Sequence, residues 1–311
     1  MLLTYRAYGR TLASDRALPE LPPSDAAADI TVSWNARAEI VRDARWTTLW
    51  RFSNEEPWVT PARVNGARRL RFGRFADVTV SEDRIDVARR GHASDATLRH
   101  LVLDQALPLA LAARGALVVH ASAVALRTGA IVLAGRAGAG KSTIAALLAR
   151  EGFPVIADDG VVLEGPLPAL RVVASYPGLR LYDDSARVAG LELSRSELVA
   201  EYSRKRRVVP ATAPARRFSE SFTLTAMYSL APGASNIRFE KLARRDAAVE
   251  VLAHAYRIDP ADRVALAAQL DAVAAIVPGV WRVSYPRDLT RAESLASAIA
   301  EHGRACDSGC R

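Results

Sequence analysis

One stretch constrains this chain more than any other: GRAGAGKS at residues 135–142. Gly135, Gly140, Lys141 and Ser142 fill every fixed position of the pattern G-x-x-x-x-G-K-[ST]. Glycines at these positions allow backbone conformations in which successive N–H groups converge on phosphate oxygens. The motif therefore predicts a strand, a phosphate-binding loop and a helix in that order.

The sequence on either side of the loop fits the same unit. AIVLA at 130–134 is typical of a short buried strand, and STIAALLAREG at 142–152 has the apolar spacing of a helix, whose N-terminus attracts anions. Lys141 is expected to reach the β- and γ-phosphates and Ser142 to ligate Mg²⁺. The alternative is a Gly/Ala-rich turn that matches by chance. In this context we expect nucleotide binding by Gly135, Arg136, Ala137, Gly138, Ala139, Gly140, Lys141, Ser142 and Thr143.

An acidic pair, Asp158 and Asp159, begins only 17 residues after Lys141, which leaves room for one helix and one strand. Consecutive strand residues point to opposite faces, so one carboxylate could face a metal and the other an incoming hydroxyl. The alternative is an aspartate turn before Gly160. Beside the phosphate loop, the pair favours a phosphoryl-transfer site.

Composition excludes several classes of protein. With 311 residues and 50% hydrophobic content, the chain can bury a sizeable core. The net charge of +8 comes from 39 arginines against three lysines, and the basic clusters are scattered without aromatic residues that stack on bases. We therefore expect no nucleic-acid partner.

No membrane or secretion signal is expected either. The N-terminus lacks a long apolar core after a basic start, and the apolar region 101–134 is interrupted by charged residues and Pro108. Cys306 and Cys310 lie in a polar tail without a histidine cluster, so they predict reduced thiols rather than a metal site. A cytoplasmic protein fits these features.

The chain divides by pattern into a small β-rich domain at 1–95, an α/β domain at 96–303 and a flexible tail at 304–311. The second domain is predicted to begin with a helix at 93–115 kinked near Pro108, followed by a hairpin at 116–135. Strands are predicted at 30–34, 47–52, 68–75, 77–81, 84–88, 153–159, 161–165, 170–175 and 222–230, and helices at 194–203, 246–256, 260–277 and 290–303.

Three further residues are candidates for the site. His120 lies in the strand before the one that feeds the loop; it is either a core histidine or a group at the nucleotide's edge. Arg180 follows a Pro-Gly turn and is either a surface arginine or a phosphate ligand. Lys205, among several arginines, could bind a triphosphate or a peptide carboxylate, or belong to a solvated charge run.

The order H-A-S (120–122), hairpin, GRAGAGKST (135–143), helix and ADDGV (157–161) resembles the catalytic domain of HPr kinase/phosphorylase. That family of bacterial serine kinases is related in its phosphate-loop core to ATP-dependent phosphoenolpyruvate carboxykinase. The resemblance implies a mixed sheet with flanking helices. It also implies that Asp158 is the general base, that Asp159 shares the Mg²⁺ site with Ser142, and that His120 lies beside the acceptor.

A second resemblance covers nearly the whole chain. The segments 5–23, 97–124, 175–184 and 203–207 are similar to stand-alone HPr-kinase-related proteins of bacterial peptide-modification pathways, including lasso-peptide kinases. This implies an ATP- and Mg²⁺-dependent kinase that phosphorylates a serine of a peptide or protein, such as the C-terminal serine of a precursor. The alternatives are an HPr-type or small-molecule kinase and a non-catalytic ATP sensor. Whether the protein forms a homo-oligomer stays open.

Overall fold

The computed structural model describes residues 2–34, 50–51, 57–64, 67–81, 83–193, 196–210, 220–256 and 262–307. Within these ranges the chain is a mixed α/β structure. It divides into two compact units, Met1–Ala110 with Leu198–Arg204, and Leu111–Glu197 with Lys205–Arg311. The predicted domains 1–95 and 96–303 stay a prediction.

The first unit contains an eight-stranded sheet with the order β1-β2-β3-β8-β7-β6-β5-β4. Residues of β7 alternate between buried (Ala76, Val78, Val80) and half-buried (Asp77, Thr79), which is the pattern of a sheet with one face on a core. The strands are β1 (Leu3–Ala7), β2 (Arg10–Ser14), β3 (Ile30–Ser33), β4 (Trp50–Arg51), β5 (Pro57–Val64), β6 (Ala67–Phe72), β7 (Ala76–Val80) and β8 (Arg84–Arg89).

A helix interrupted by a wider turn follows this sheet. Helix α1 (Asp95–Leu101) begins at Ser94, whose side chain accepts a hydrogen bond from the Thr97 N–H. It continues as a π-helical turn, Val102–Ala106, and then as α2 (Leu107–Ala113). The irregularity predicted near Pro108 takes this form, because proline has no N–H to give to the carbonyl four residues earlier.

The second unit is built on a nine-stranded sheet with the order β12-β10-β11-β17-β14-β13-β9, in which β19 pairs with both β17 and β18. Strands β9 and β10 are separated only by His120 but lie far apart in this order, so the sheet curves back on itself at that histidine. The strands are β9 (Leu117–Val119), β10 (Ala121–Ala125), β11 (Gly129–Ala134), β12 (Val155–Ala157), β13 (Val161–Glu164), β14 (Arg171–Val173), β17 (Ser221–Pro232), β18 (Arg238–Lys241) and β19 (Val280–Tyr285).

Helices cover both faces of this sheet, which explains why β11 is apolar throughout rather than alternating. Ile131 and Leu133 pack into one core cluster with α3 and α7, whereas Ala130, Val132 and Ala134 pack into another with α5 and α6. The helices of this unit are α3 (Lys141–Arg150), α4 (Asp183–Val188), α5 (Arg244–His254), α6 (Arg263–Ile276) and α7 (Ala292–Asp307), and a small hairpin is formed by β15 (Leu179–Leu181) and β16 (Arg206–Val208).

Most of the predicted helices and strands that lie within the described residues are confirmed. The predicted hairpin at 116–135 is present, with β10 antiparallel to β11 and Ala121 opposite Ala134. The predicted helix at 194–203 is wrong, because its described part, 196–203, is an irregular segment. Helix α7 runs to Asp307 and so contains the first four residues of the predicted tail, whereas 308–311 and most of the predicted strand at 47–52 lie outside the described residues.

Within the described ranges, every helix is too short or too polar to span a bilayer.

Candidate active site

The loop predicted to bind phosphate connects β11 to α3. Helix α3 begins directly after Gly140, whose φ of 85° is a left-handed conformation that favours glycine. Gly135 is closely surrounded, because a Cβ atom there would lie 3.1 Å from the Cβ atoms of Ala139 and Leu230. Local geometry therefore favours glycine at both fixed glycine positions of the pattern, by its φ at Gly140 and by crowding at Gly135.

Lys141 folds back over this loop. Its Nζ atom donates hydrogen bonds to the backbone oxygens of Gly135, at 2.8 Å, and Arg136, at 3.5 Å. Burial lowers the pKa of the Lys141 amine, and the nearby Asp159 carboxylate partly opposes this shift. The ammonium group is thus held at the start of the loop by backbone acceptors, and an anion at this place would stabilise its charge.

The Asp158 carboxylate collects hydrogen bonds from three elements of the second unit. Oδ1 accepts from the hydroxyls of Ser122, at 2.6 Å, and Ser142, at 2.9 Å. Oδ2 accepts from the backbone N–H of Arg180 at 2.8 Å. Asp158 is only 1% exposed, so its carboxylate has lost its hydrogen bonds to water. These three bonds from the protein take their place.

Arg180 is the second buried charge of this network and is only 2% exposed, unlike a surface arginine. Its Nη1 atom donates to the backbone oxygens of Asp158, at 3.2 Å, and Gly178, at 2.9 Å. Its Nη2 atom donates to the Tyr176 hydroxyl, and the guanidinium lies 4.9 Å from the centre of that ring. The guanidinium thereby fixes the hairpin β15–β16 beside Asp158.

Asp159 points away from this network and faces a cavity. Its φ of 70° is unusual for a residue with a side chain, and such conformations concentrate at functional sites. His120 Nδ1 lies 2.8 Å from the Asp159 backbone oxygen and 3.4 Å from its carboxylate Oδ1. Since a carbonyl oxygen only accepts, Nδ1 carries the proton, and Nε2 of the neutral ring is an acceptor.

Burial favours this neutral form. It lowers the pKa of His120, and the Asp159 carboxylate and backbone oxygen oppose the shift only in part. The site therefore places one carboxylate and one neutral imidazole side by side, each able to accept a hydrogen bond or a proton.

The cavity beside these groups has a volume of about 610 Å³, which is within the range for a small-molecule site. Of the residues predicted from sequence, it is lined by His120, Ala137, Gly138, Ala139, Gly140, Lys141, Ser142, Thr143, Asp159, Arg180 and Lys205. Asp158, Gly135 and Arg136 do not line it. Lys205 extends over the ring of Tyr182, 5.7 Å from its centre, so it lies on the wall of the cavity.

Sequence reasoning missed part of this wall. Tyr285, the last residue of β19, and Arg287, which follows it, line the cavity, and Ser122 bonds to Asp158 from β10. The alternation of VWRVSY at 280–285 could have indicated a strand whose end approaches the loop. The hydroxyl of Ser122 had no comparable signal beyond its position two residues after His120.

The donor groups fit a nucleotide with Mg²⁺. A hydroxyl at Ser142 and carboxylates at Asp158 and Asp159 are the hard oxygen ligands that Mg²⁺ prefers. Mg²⁺ at such sites is bound through one or two carboxylates together with phosphate oxygens, so a larger protein cage is not needed. Among the described residues, no three His, Cys, Asp or Glu side chains form a cluster that could hold an ion by themselves.

No model of a known protein family matches this chain, and no curated protein matches it at a significant level. Among solved structures, the chain is similar to the Hpr(Ser) kinase/phosphatase from Coxiella burnetii. The alignment covers 62% of this chain and 99% of that one, with 12% sequence identity and a TM-score of 0.31. A similarity of this size carries no argument about function, which we base on the site itself.

Proposed function

We propose that this protein is a Mg²⁺- and ATP-dependent kinase that transfers the γ-phosphate to a hydroxyl of a peptide or protein, in particular a serine. The observation that carries the proposal is that one cavity is lined both by a candidate metal ligand and by a candidate base. On one side, Ser142 at the start of α3 bonds to the buried Asp158. On the other, Asp159 and His120 face the cavity beside the loop and Lys141.

Nucleotide binding is assigned to the loop and Lys141. The loop amides and the first turn of α3 supply N–H donors and a favourable dipole for phosphates, and Lys141 supplies a compact positive charge. Ser142, which Asp158 holds in place by a hydrogen bond, would bind Mg²⁺ together with the phosphate oxygens of the nucleotide. When bound, Mg²⁺ neutralises charge on the phosphate oxygens during transfer.

The contacts favour a different division of labour in the acidic pair from the one that the sequence resemblance implies. Both oxygens of Asp158 are already occupied by Ser122, Ser142 and Arg180, and the side chain does not reach the cavity. We assign to Asp158 the role of orienting Ser142 at the metal site. Asp159 faces the cavity and is therefore our candidate for the base.

The proposed step is a simple displacement. The acceptor oxygen attacks the γ-phosphorus, the bond between that phosphorus and the β–γ bridging oxygen breaks, and ADP leaves. The acceptor's proton passes to the Asp159 carboxylate, which His120 positions through its bond to the Asp159 backbone. A base next to a positioned hydroxyl contributes typically about 10²- to 10⁴-fold to such a rate.

The acceptor class rests on the sequence resemblance to kinases of peptide-modification pathways, including those that act on the C-terminal serine of a lasso-peptide precursor. A small-molecule acceptor is the alternative. A non-catalytic ATP sensor would need a nucleotide site but no cavity-facing base, so the position of Asp159 favours an enzyme over a sensor.

The experiment is a transfer assay with γ-labelled ATP, Mg²⁺ and serine-containing peptides, including any precursor peptide encoded beside this protein. We expect label on peptide serine and ATP consumption that depends on the acceptor. Lys141→Ala should lose the transfer, whereas the control Lys241→Ala should keep it. If folded protein that binds ATP labels no peptide or protein, this acceptor class is wrong; ATP binding without any turnover would favour the sensor.

A further inference from the structure

Part of the cavity wall is formed by the end of β19 and the residues that follow it, from Tyr285 to Asp288. Strands β11, β17 and β19 are parallel neighbours, so their carboxyl ends lie at one edge of the sheet, where ligands of α/β folds bind. In register, Ala134 is opposite Ser229, and Ser229 is opposite Arg282. Tyr285 therefore stands three residues, roughly 10 Å, beyond the last residue of β11, beside the loop.

This segment is held firmly against the loop. The Tyr285 hydroxyl donates to the backbone oxygen of Ala139, and burial raises the pKa of that phenol to about 12, so it stays protonated as a donor. The Tyr285 backbone oxygen accepts from the N–H groups of Gly233, at 2.8 Å, and Ala234, at 3.1 Å. Both the side chain and the backbone of Tyr285 are thus hydrogen-bonded, which fixes where the residues after Tyr285 lie relative to the loop.

Arg287 extends from this anchored segment to the apex of the loop. Its Nη2 atom lies 3.8 Å from the position that a Cβ atom on Gly138 would occupy. Arg287 is exposed, lines the cavity and, within the described part of the chain, has no hydrogen-bond or salt-bridge partner. The neighbouring Asp288 carboxylate is engaged by the N–H and hydroxyl of Thr290. The guanidinium therefore has donors available for a ligand in the cavity.

We propose that Arg287 binds the phosphate chain of the nucleotide at the apex of the loop while Lys141 binds it at the start of the loop, so that the two cations clamp the chain at two points. The inference rests on the proposed function, because it assumes that a nucleotide phosphate chain occupies the loop. Lys141 is held at the start of the loop, near Gly135, and Arg287 at its apex, near Gly138. A guanidinium offers parallel N–H donors that match two phosphate oxygens, which an ammonium cannot reproduce.

The test is a titration with two ligands that share a triphosphate but differ in the nucleoside. Calorimetry with Mg²⁺ and either a non-hydrolysable ATP analogue (AMP-PNP) or inorganic tripolyphosphate gives the dissociation constants. Arg287→Gln should weaken both by the same factor of about 10- to 100-fold, the range for one lost hydrogen bond to a charged group. Arg287→Lys keeps the positive charge but not the parallel N–H donors of the guanidinium. Its dissociation constants should therefore lie between those of Arg287→Gln and of the wild-type protein.

Arg263→Gln is the matched control, because Arg263 is an exposed arginine at the start of α6 and does not line the cavity. The inference is overturned if Arg287→Gln binds both ligands as tightly as this control. It is also overturned if only AMP-PNP is weakened, since the contact would then be to the nucleoside. Failure of the wild-type protein to bind either ligand would overturn the proposed function together with the role of Arg287.

Discussion

The hydroxyl of Ser142 and the carboxylate of Asp158 are joined by a hydrogen bond of 2.9 Å, although 16 residues separate them. The chain between these two residues forms most of helix α3 and strand β12. The hydrogen bond joins the start of the helix to the end of the strand, at the edge of the sheet where the loop begins. Because Ser122 and Arg180 bond to the same carboxylate, Asp158 ties together three parts of the fold. This makes Asp158 a residue on which both stability and the site depend.

Replacing Asp158 should destabilise the protein strongly. Asp158→Asn leaves the buried Arg180 guanidinium without its nearby countercharge. It also replaces one carboxylate oxygen, which accepts hydrogen bonds, by an NH₂ group that would face the donors Ser122, Ser142 or the Arg180 N–H. We expect the free energy of unfolding to fall by about 3–5 kcal/mol, as for other broken buried pairs. Urea unfolding measures this.

Ser122→Ala is the companion variant. It removes only one of the donors to Asp158, and we expect a loss of about 1 kcal/mol. A loss as large as that of Asp158→Asn would show that Arg180 contributes little to the network.

Lys141→Ala should strongly weaken nucleotide binding without loss of stability. The amine is buried with a lowered pKa, so its removal relieves a desolvation cost in the free protein. In the complex, two contacts to phosphate at about 1.5–3 kcal/mol each are lost, which predicts a weakening of more than about 100-fold. Calorimetric titration with Mg²⁺ and AMP-PNP, alongside urea unfolding, separates the two effects. Lys241→Ala, outside the cavity, should change neither quantity; an unchanged affinity in Lys141→Ala would contradict the account.

Gly135→Ala should distort the loop. The added methyl would lie 3.1 Å from the backbone oxygen of Leu230 as well as from two Cβ atoms, and backbone cannot give way cheaply. We expect a cost of about 1–3 kcal/mol, as for other overpacked sites. Gly190→Ala, where a Cβ would have open space, isolates the cost of the left-handed conformation alone and should be milder. Thermal or urea unfolding of the two variants measures the loss of stability in each. Equal losses in Gly135→Ala and Gly190→Ala would show that packing around Gly135 is unimportant.

Acidification should destabilise the fold in part through His302. Its ring stacks on Phe239, lies 2.8 Å by Nδ1 from the Tyr228 hydroxyl, and has a pKa lowered by burial. Between that lowered pKa and the unfolded value of about 6.5, the unfolded chain binds more protons, so stability falls as pH drops. We expect a lower urea midpoint at pH 5.5 than at pH 7.5, and an NMR titration should place the His302 pKa below 6.5. A pKa above that value would contradict the packing described.

The elements around the loop could be predicted because their signals are local. An apolar run that ends in Gly135, and a helix start at Lys141, need only the chain itself to be recognised. The segment 196–203 shows the opposite case: its apolar spacing resembles a helix, yet Glu201 bonds by its N–H to the Thr97 hydroxyl and by its carboxylate to the Ser94 N–H. Tertiary bonds there override a local preference.

The same distinction holds for the candidate site. The spacing between Lys141 and the acidic pair predicted that they lie near one another, and in the structure Ser142 bonds to Asp158. Which of the two carboxylates faces Ser142 depends on the turn at Asp159, with its φ of 70°, and no sequence pattern encodes that choice. Arg287 is brought to the loop by strand order across the sheet, a relationship among residues more than 100 positions apart.

The most direct test of the account is a single-turnover transfer assay with Asp159→Asn. The substituted amide would keep the size of the side chain but could not accept the acceptor's proton, whereas the control Asp184→Asn changes another carboxylate that lines the same cavity. We predict that Asp159→Asn binds Mg²⁺ and AMP-PNP within about threefold of wild type but transfers phosphate about 10²- to 10⁴-fold more slowly, while Asp184→Asn stays near wild type. Full transfer by Asp159→Asn would contradict the account.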